Sequence, residues 1–250
     1  MASSIQYMQL CSIEPMLRSV AYRLLPPRCV VCELQPGTPT TSICPQCESD
    51  FFAAETARCE RCAIRLPDGK SDAPHVCGRC LANAPHFDTT TTLADYVSPV
   101  DGMVTALKFT ARLDLAQFFG KLLAHRLSSM SPSMNEALVI PVPLAFERVR
   151  QRGFNQSHHI ARAFAAATRR RVAIDRLLRV RNTPAQQTLA LKERRRNVRG
   201  AFAVEGSLRG QQIFVVDDVM TTGSTLDEVA RVLKQAGAER VHNLIVARTP

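Results

Sequence analysis

One stretch near the C-terminus, from Ile213 to Thr225, constrains the fold more than any other part of the chain. Its first four residues, Ile213 to Val216, are apolar and mostly β-branched, which predicts a buried strand. The spacing of Leu226, Val229 and Leu233 predicts a helix directly afterwards. Two acids and a Gly- and hydroxyl-rich turn lie between them. A strand followed at once by a helix is typical of a parallel α/β sheet, with the turn at the carboxyl edge where ligands bind.

This turn has the chemistry to hold a phosphorylated sugar. Free backbone N–H groups and the positive end of a helix dipole suit a phosphate, and carboxylates accept hydrogen bonds from sugar hydroxyls. A metal-binding acid pair or an ordinary capped turn is the alternative interpretation. The chain contains neither the P-loop nor the dinucleotide-binding glycine pattern. The predicted sugar-phosphate site comprises Asp217, Asp218, Val219, Met220, Thr221, Thr222, Gly223, Ser224 and Thr225.

Eight of the nine cysteines form Cys-x-x-Cys pairs in the first third of the chain. Because each pair offers two thiolates to one tetrahedral ion, the spacing predicts two structural Zn²⁺ sites; unmetallated or redox-active pairs are the alternative. Sequential pairing closes short loops and is favoured over an interleaved, cross-braced arrangement. The predicted ligands are Cys29, Cys32, Cys44, Cys47, Cys59, Cys62, Cys77 and Cys80.

The positive charge is concentrated in one segment. Between Arg148 and Arg199 there are 15 basic and two acidic residues, within a chain of net charge +10. A pyrophosphate group or a single-stranded nucleic acid could use this segment, although only Phe154 and Phe164 are available there for base stacking. A solvated basic face is the third possibility, and it suits Arg169 to Arg171 after a predicted helix.

The remaining pattern predicts further strands and helices. Strands are expected at 137–142, 172–174, 177–181 and 241–247, and helices are expected to be capped by Asp101, by Asp114 and by Asn155 or Ser157. We also expect a linker at 85–92, a turn at 143–153, a polar run at 182–200 and a helix stop at Gly237. The predicted fold class is α/β, a doubly wound parallel sheet of about five strands preceded by a small metal module.

The N-terminus predicts a short amphipathic helix and no membrane span. Residues 13–25 carry Met16, Leu17, Val20 and Leu24 on one side, which favours packing against the protein over membrane contact. No apolar stretch reaches the length of a membrane span, and no signal-peptide core is present. Since reduced cysteines persist in the cytosol, the sequence favours a cytoplasmic location.

Taken together, these motifs resemble the ComF family, whose members combine a double zinc ribbon with a type I phosphoribosyltransferase domain. The resemblance is carried by the cysteine pairs, the Ile213–Thr225 stretch, the run from Arg152 to Ser157, and the run from Thr183 to Phe202. It implies domains at 26–84 (double zinc ribbon) and 93–250 (phosphoribosyltransferase-like domain), and it leaves the predicted amphipathic segment at 1–25 outside.

The resemblance also implies a ligand, a cofactor and residue roles. The expected ligand is phosphoribosyl pyrophosphate (PRPP) with Mg²⁺, and Asp217 and Asp218 are the expected catalytic acids. The pyrophosphate would lie near the turn at 143–153, under a hood at 182–200. The expected pyrophosphate and hood residues are Arg148, Arg152, Lys192, Arg194, Arg195 and Arg196.

Two functions stay open at this point. One is a phosphoribosyltransferase with an unknown acceptor, linked to competence and DNA uptake or utilisation. The other is a non-catalytic factor that binds PRPP and single-stranded DNA and works with DNA-uptake machinery. A RING-like ligase module would account for the cysteines but not for the Asp217–Asp218 loop.

Overall fold

The fold was analysed in a computed structural model of the 250-residue chain. The structure describes residues 28–34, 42–53, 57–67, 75–128, 136–181 and 198–250. The predicted N-terminal amphipathic segment and most of the predicted hood lie outside these residues. The chain divides into two compact units, Met1–Phe51 and Phe52–Pro250. The first four cysteines belong to the first unit, and the second four share a unit with the sheet.

Four parallel strands form the main sheet of the second unit. They are β1 (Thr89–Asp95), β2 (Leu138–Pro141), β5 (Gln212–Met220) and β6 (Arg240–Arg248), in the spatial order β1-β6-β5-β2. A short antiparallel pair, β3 (Leu177–Arg179) and β4 (Phe202–Val204), makes a second sheet. The predicted parallel α/β fold is thereby confirmed. The predicted strand at 172–174 is wrong, since only an isolated bridge joins Val172 to Val139.

The central strands are apolar because both of their faces are covered. Ile213 to Val216 of β5 and Leu244 to Ala247 of β6 are fully buried. Continuous apolar runs of this kind are typical of parallel strands with helices on both sides. The two strands run side by side from Gln212 opposite Arg240 to Met220 opposite Arg248.

Strand β1 was predicted as the end of a linker, and that prediction was wrong. Its run of threonines looks too polar for a core, yet Thr90, Thr91 and Thr92 are buried. Their hydroxyls have partners on β6: Thr91 Oγ1 lies 2.9 Å from His242 Nε2, and Asn243 Nδ2 donates to Thr90 Oγ1 at 3.1 Å. Because buried polar groups cost little once bonded, β-branched threonine can form an inner strand here.

Seven helices complete the described part of the chain. They are α1 (Pro45–Phe52), α2 (Gly78–Ala82), α3 (Val100–Phe109), α4 (Leu113–Ser128), α5 (Phe146–Arg152), α6 (Gln156–Thr168) and α7 (Ser224–Gln235). Helices α4 and α6 approach closely at Gly120, where an added Cβ would lie 2.5 Å from Ala163 Cβ. None of them is long and apolar enough to cross a membrane, as far as the described residues show.

Helix boundaries differ from the sequence-based prediction at three points. Asp101 lies in the first turn of α3, and its carboxylate accepts from the N–H of Gly102 while Pro99 occupies the cap position. Asp114 lies inside α4 and pairs with Arg112. The predicted turn at 143–153 contains α5, which buries no side chain and therefore shows no apolar periodicity. The predicted Asn155 cap is confirmed, since Asn155 Oδ1 accepts from the N–H of Ser157.

Candidate functional site

The two acids lie in the last part of β5 rather than in the loop after it. Asp217 is paired with Ile245, and the strand continues to Met220 before the chain turns. Successive residues of a strand point to opposite faces, so the two neighbouring acids meet different surroundings. Asp217 is half-buried, and Asp218 is buried.

Asp218 is held within the protein by three groups. Lys108 Nζ of α3 lies 2.7 Å from its Oδ2, and Gln156 Nε2 of α6 donates to the same oxygen at 3.2 Å. Its Oδ1 accepts from the N–H of Val219 at 2.8 Å. Both oxygens therefore already have partners, whereas the sequence predicted that both acids would be open to sugar hydroxyls.

Asp217 keeps one oxygen available. Its Oδ1 accepts from Ser157 Oγ and from the N–H of Asp218, each at 2.9 Å. Among the described residues, no group donates a hydrogen bond to its other oxygen, Oδ2. Burial, followed by the charge of Asp218, raises the pKa of Asp217 to about 7, although the Ser157 hydrogen bond opposes this shift. Asp217 is thus the acid that can both titrate near neutrality and accept from a ligand.

The turn after β5 presents unbonded N–H groups beside the acids. Gly223 has φ +83°, a left-handed conformation, and caps α7. Thr222 Oγ1 accepts from the N–H of Ser224 at 3.3 Å and lies 2.8 Å from Ser224 Oγ. Within the described ranges, the N–H groups of Thr221, Thr222 and Gly223 have no acceptor. These three N–H groups come directly before α7, so they are available to a phosphate at the N-terminus of that helix.

Arg152 and Arg179 bring positive charge to the acids, and the charge of Arg148 acts on both of these arginines. The pKa of Arg152 is lowered, mainly by burial; the charge of Asp218 opposes this shift, and the charge of Arg148 adds to it. The pKa of Arg179 is likewise lowered by burial and by Arg148 and raised by Asp217. Arg152 also donates to Gln156 Oε1, and Gln156 in turn donates to Asp218, so Arg152 lies beside the acid pair. Arg148 and Arg152 were predicted, and Lys192, Arg194, Arg195 and Arg196 lie outside the described residues.

Lys108, Gln156, Ser157 and Arg179 were missed as site residues. Gln156 and Ser157 stand in a run whose importance the sequence indicated, so their direct contact with the acids could have been suspected. Lys108 and Arg179 come from α3 and β3, far from the acids in sequence. No local pattern marks either residue.

The eight paired cysteines form two separate clusters. Cys29, Cys32, Cys44 and Cys47 lie together, as do Cys59, Cys62, Cys77 and Cys80, with all sulfurs of a cluster within 4.8 Å. Cys32 and Cys44 sulfurs are 3.7 Å apart, as are those of Cys62 and Cys77. A tetrahedron with Zn–S bonds of about 2.3 Å has edges of roughly 3.8 Å, so both clusters fit zinc. The predicted sequential pairing is confirmed.

The two clusters repeat one backbone design. Cys29 N–H donates to Leu34 O and Cys59 N–H to Ile64 O, with a left-handed residue just before each acceptor, Glu33 at φ 61° and Ala63 at φ 55°. This tight turn presents both sulfurs of a Cys-x-x-Cys pair to one point. The repeat identifies the N-terminal region as two related ribbons.

The second ribbon packs against the sheet. Arg248 Nε of β6 donates to Cys62 O at 3.0 Å, and the N–H of Thr90 donates to Glu60 O at 2.9 Å. Asp95 of β1 pairs with Arg58 at 2.7 Å and with Arg65 at 2.5 Å. The ribbon is therefore bonded directly to the strands β1 and β6.

Comparison with known proteins agrees with both parts of the molecule. The family model "Double zinc ribbon domain" matches residues 20–81, and "Phosphoribosyl transferase domain" matches residues 123–250. The chain is 33% identical to DNA utilization protein YhgH of Escherichia coli O6:H1 over 228 residues, covering 90% of this chain and 98% of the relative. The chain belongs to the ComF family.

Two further relatives of this ComF-family chain carry competence names. Competence protein F of Haemophilus influenzae is 27% identical over 227 residues, covering 88% of this chain and 96% of that protein. Competence protein ComFC of Bacillus subtilis is 30% identical over 135 residues, covering 54% of this chain and 53% of that protein. The ComF-family assignment thus covers both the zinc ribbons and the sheet domain.

Proposed function

We propose that the protein binds PRPP with Mg²⁺ at the carboxyl edge of β5 and serves the uptake or utilisation of DNA in the cytoplasm. The observation that carries this proposal is the half-buried Asp217, with one oxygen available, next to three unbonded N–H groups at the start of α7. A sugar hydroxyl and a sugar phosphate suit these two features. The DNA-related role is supported by the names of the relatives.

Each part of PRPP has a matching group. The 5-phosphate accepts from the unbonded N–H groups of Thr221, Thr222 and Gly223, where the α7 dipole adds attraction. A ribose hydroxyl donates to Asp217. The pyrophosphate faces Arg148 and Arg152, with Arg179 beside them.

Mg²⁺ fits this arrangement because it prefers carboxylate, hydroxyl and phosphate oxygens. Bound with PRPP, it would neutralise part of the pyrophosphate charge. Among the described residues, Asp217 is the acid able to contribute an oxygen to it directly or through water. Lys108 already neutralises Asp218, so the pair carries less net charge than its two carboxylates suggest.

If the protein is a transferase, these arginines stabilise the pyrophosphate as it leaves. The bond between ribose C1 and the pyrophosphate oxygen breaks, the electron pair leaves with pyrophosphate, and a nucleophile on the acceptor bonds to C1. Cations fixed near the departing oxygens stabilise the negative charge that develops there. Arg148 and Arg152 both lie on α5, and the charge of Asp218 acts on Arg152.

The second candidate is a non-catalytic factor that binds PRPP and single-stranded DNA. It is favoured by the excess of 15 basic over two acidic residues between Arg148 and Arg199. A DNA backbone would use these cations without base-specific contacts. Pyrophosphate release on incubation with PRPP and a cell extract separates the two candidates.

The site itself is tested by calorimetry with PRPP and Mg²⁺. An Asp217→Asn, Asp218→Asn double variant should lose about tenfold or more in affinity, since one lost charge-assisted hydrogen bond costs roughly 1.5–3 kcal/mol. The matched control is Asp175→Asn, an exposed acid between α6 and β3. Equal affinity in the double variant and the control would exclude the site.

A further inference from the structure

A cavity of about 620 Å³ adjoins the phosphate loop at Thr222, Gly223 and Ser224. Its walls come from the second ribbon at Arg79, from Arg199 and Gly200, from the loop at 222–224, and from the side of α7. Neither Asp217 nor Asp218 lines it. It is therefore a neighbouring space that shares the loop with the proposed PRPP site.

The carboxylates in this cavity already have partners. Glu228 binds the Arg231 guanidinium at 2.6 Å and the N–H of Gly200 at 2.7 Å. Asp227 accepts from the N–H of His86 at 2.7 Å and lies 3.0 Å from His86 Nδ1. Both carboxylates are thus already hydrogen-bonded within the protein.

Two guanidinium groups remain for a ligand. Arg79 and Arg199 are both exposed, and neither side chain has an ion pair or hydrogen bond within the described part of the chain. Guanidinium binds phosphate oxygens through two parallel hydrogen bonds, so two exposed arginines in the wall of one cavity suit a second anionic group.

We propose that this cavity is a subsite for a nucleotide joined to the 5-phosphate of the bound sugar. The shared loop at 222–224 fixes where the 5-phosphate ends, and the space beyond it is far larger than a single phosphate requires. The protein would then accept ribose linked through a diphosphate to a nucleoside, and not only 5-phosphate monoesters. This inference rests on the proposed function, because the loop must hold the first phosphate.

The test compares ribose 5-phosphate with ADP-ribose by calorimetry. ADP-ribose contains the same ribose 5-phosphate, extended by a nucleotide through its phosphate. The wild-type protein should bind ADP-ribose about tenfold more tightly, because the second phosphate gains charge-assisted hydrogen bonds. An Arg79→Gln, Arg199→Gln variant should lose this preference and keep its affinity for ribose 5-phosphate.

A charge-matched control is available at Arg209. This exposed arginine precedes β5 and lies toward the amino end of the sheet, so Arg209→Gln should leave the preference intact. Because all three residues are exposed, the variants should keep the melting temperature of the wild type. Equal binding of the two ligands by the wild type, or an unchanged preference in the double variant, would overturn the subsite.

The outcomes separate this inference from the proposed function. If PRPP and ribose 5-phosphate bind and ADP-ribose has no advantage, the subsite is wrong and the PRPP site stands. If PRPP fails to bind while ADP-ribose binds through Arg79, the proposed function is wrong and the cavity is a nucleotide site in its own right.

Discussion

Asp217 and Asp218 are adjacent in sequence but differ in burial and in the side chains that contact them. Asp218 is neutralised by Lys108, whereas Asp217 has hydroxyl and N–H partners and a raised pKa. The sequence identified both acids because a doublet before a Gly-rich turn is a local pattern. It could not distinguish their roles, which depend on contacts made by α3 and α6.

The pH dependence of stability should report on Asp217. The folded-state pKa is about 7, above the unfolded value of about 3.9, so the folded protein holds this proton more strongly. Its stabilising contribution is complete below about pH 4 and is lost as the pH rises through about 7. Asp217→Asn should remove this loss, which is on the order of 2 kcal/mol between pH 5 and pH 8.

Urea unfolding of the variant and the wild type across this range measures the difference. Asp175→Asn serves as the control, since Asp175 is exposed. Parallel stability profiles for wild type and Asp217→Asn would show that Asp217 titrates at its ordinary pKa in the folded protein.

Lys108 should matter for stability through its buried partner. Its side chain is 17% exposed and that of Asp218 is 7% exposed, so Lys108→Met leaves a buried carboxylate without its direct ion-pair partner. The expected cost is about 3 kcal/mol, and it should shrink when Asp218→Asn is added. A double-mutant cycle in urea measures this coupling. Lys121→Met, an exposed change on α4, should cost less than about 0.5 kcal/mol. Additive effects at positions 108 and 218 would show that the ion pair contributes nothing.

At the scale of elements, apolar periodicity predicted β2, β5, β6 and α7, since each has a continuous or regularly spaced buried face. It failed for β1, whose threonines are buried only because His242 and Asn243 of β6 provide hydrogen-bond partners. It failed also for α5, which buries no residue. The partners of β1 are remote in sequence, and α5 has no buried face, so neither element shows a local sequence pattern.

The loop between β5 and α7 depends on Gly223. Both Gly223 and Gly153 have positive φ, +83° and +81°, but an added Cβ at 223 would lie 2.6 Å from Met220 Cε, and at 153 it would meet nothing. Gly153→Ala should therefore cost about 1 kcal/mol from backbone strain alone, and Gly223→Ala should cost more, because the buried Met220 side chain must also move. Urea unfolding measures both. Strain at position 223 would also reorient the loop N–H groups. PRPP affinity should therefore fall in Gly223→Ala and stay unchanged in Gly153→Ala. Equal costs would mean that Met220 moves aside freely.

At the scale of the molecule, the two zinc clusters belong to different compact units. Cys59, Cys62 and Cys80 share a hydrophobic cluster with Met220 and Leu226, on either side of the phosphate loop. The second ribbon is therefore part of the core that supports the site. Sequence spacing predicted both zinc clusters, but it could not show that one of them joins the sheet.

Replacing one ligand in each cluster tests this difference. Cys80→Ser and Cys47→Ser both change the fourth, buried ligand of a cluster, and each should reduce the zinc content by one ion. Cys80→Ser should lower the melting temperature of the sheet unit by roughly 10 °C, equivalent to about 3 kcal/mol, and weaken PRPP binding. Cys47→Ser should have much less effect on both. Metal analysis, calorimetry and PRPP titration provide the measurements, and equal melting shifts would contradict the assignment of the second ribbon to this core.

The distribution of charge makes a separate prediction about nucleic acid. The segment from Arg148 to Arg199 holds nearly half of all basic residues, 15 of 32, and the remainder of the chain is slightly acidic. If single-stranded DNA binds there, affinity should fall steeply with salt, because each neutralised phosphate releases counterions. Changing Lys192, Arg194, Arg195 and Arg196 to Ala should reduce the slope of log affinity against log salt by about 3, since each single-strand contact contributes roughly 0.7.

A control of equal charge change shows whether position matters. One lysine and three arginines outside the segment, changed to Ala together, remove the same charge: Lys121, Arg61, Arg209 and Arg240. A general electrostatic attraction would lower the slope equally in both variants, because it depends only on net charge. A true binding segment lowers it only in the first, because counterions are released where phosphates are contacted. Fluorescence anisotropy of a labelled oligonucleotide between 50 and 200 mM salt, roughly the range in which such contacts are most sensitive, distinguishes the two.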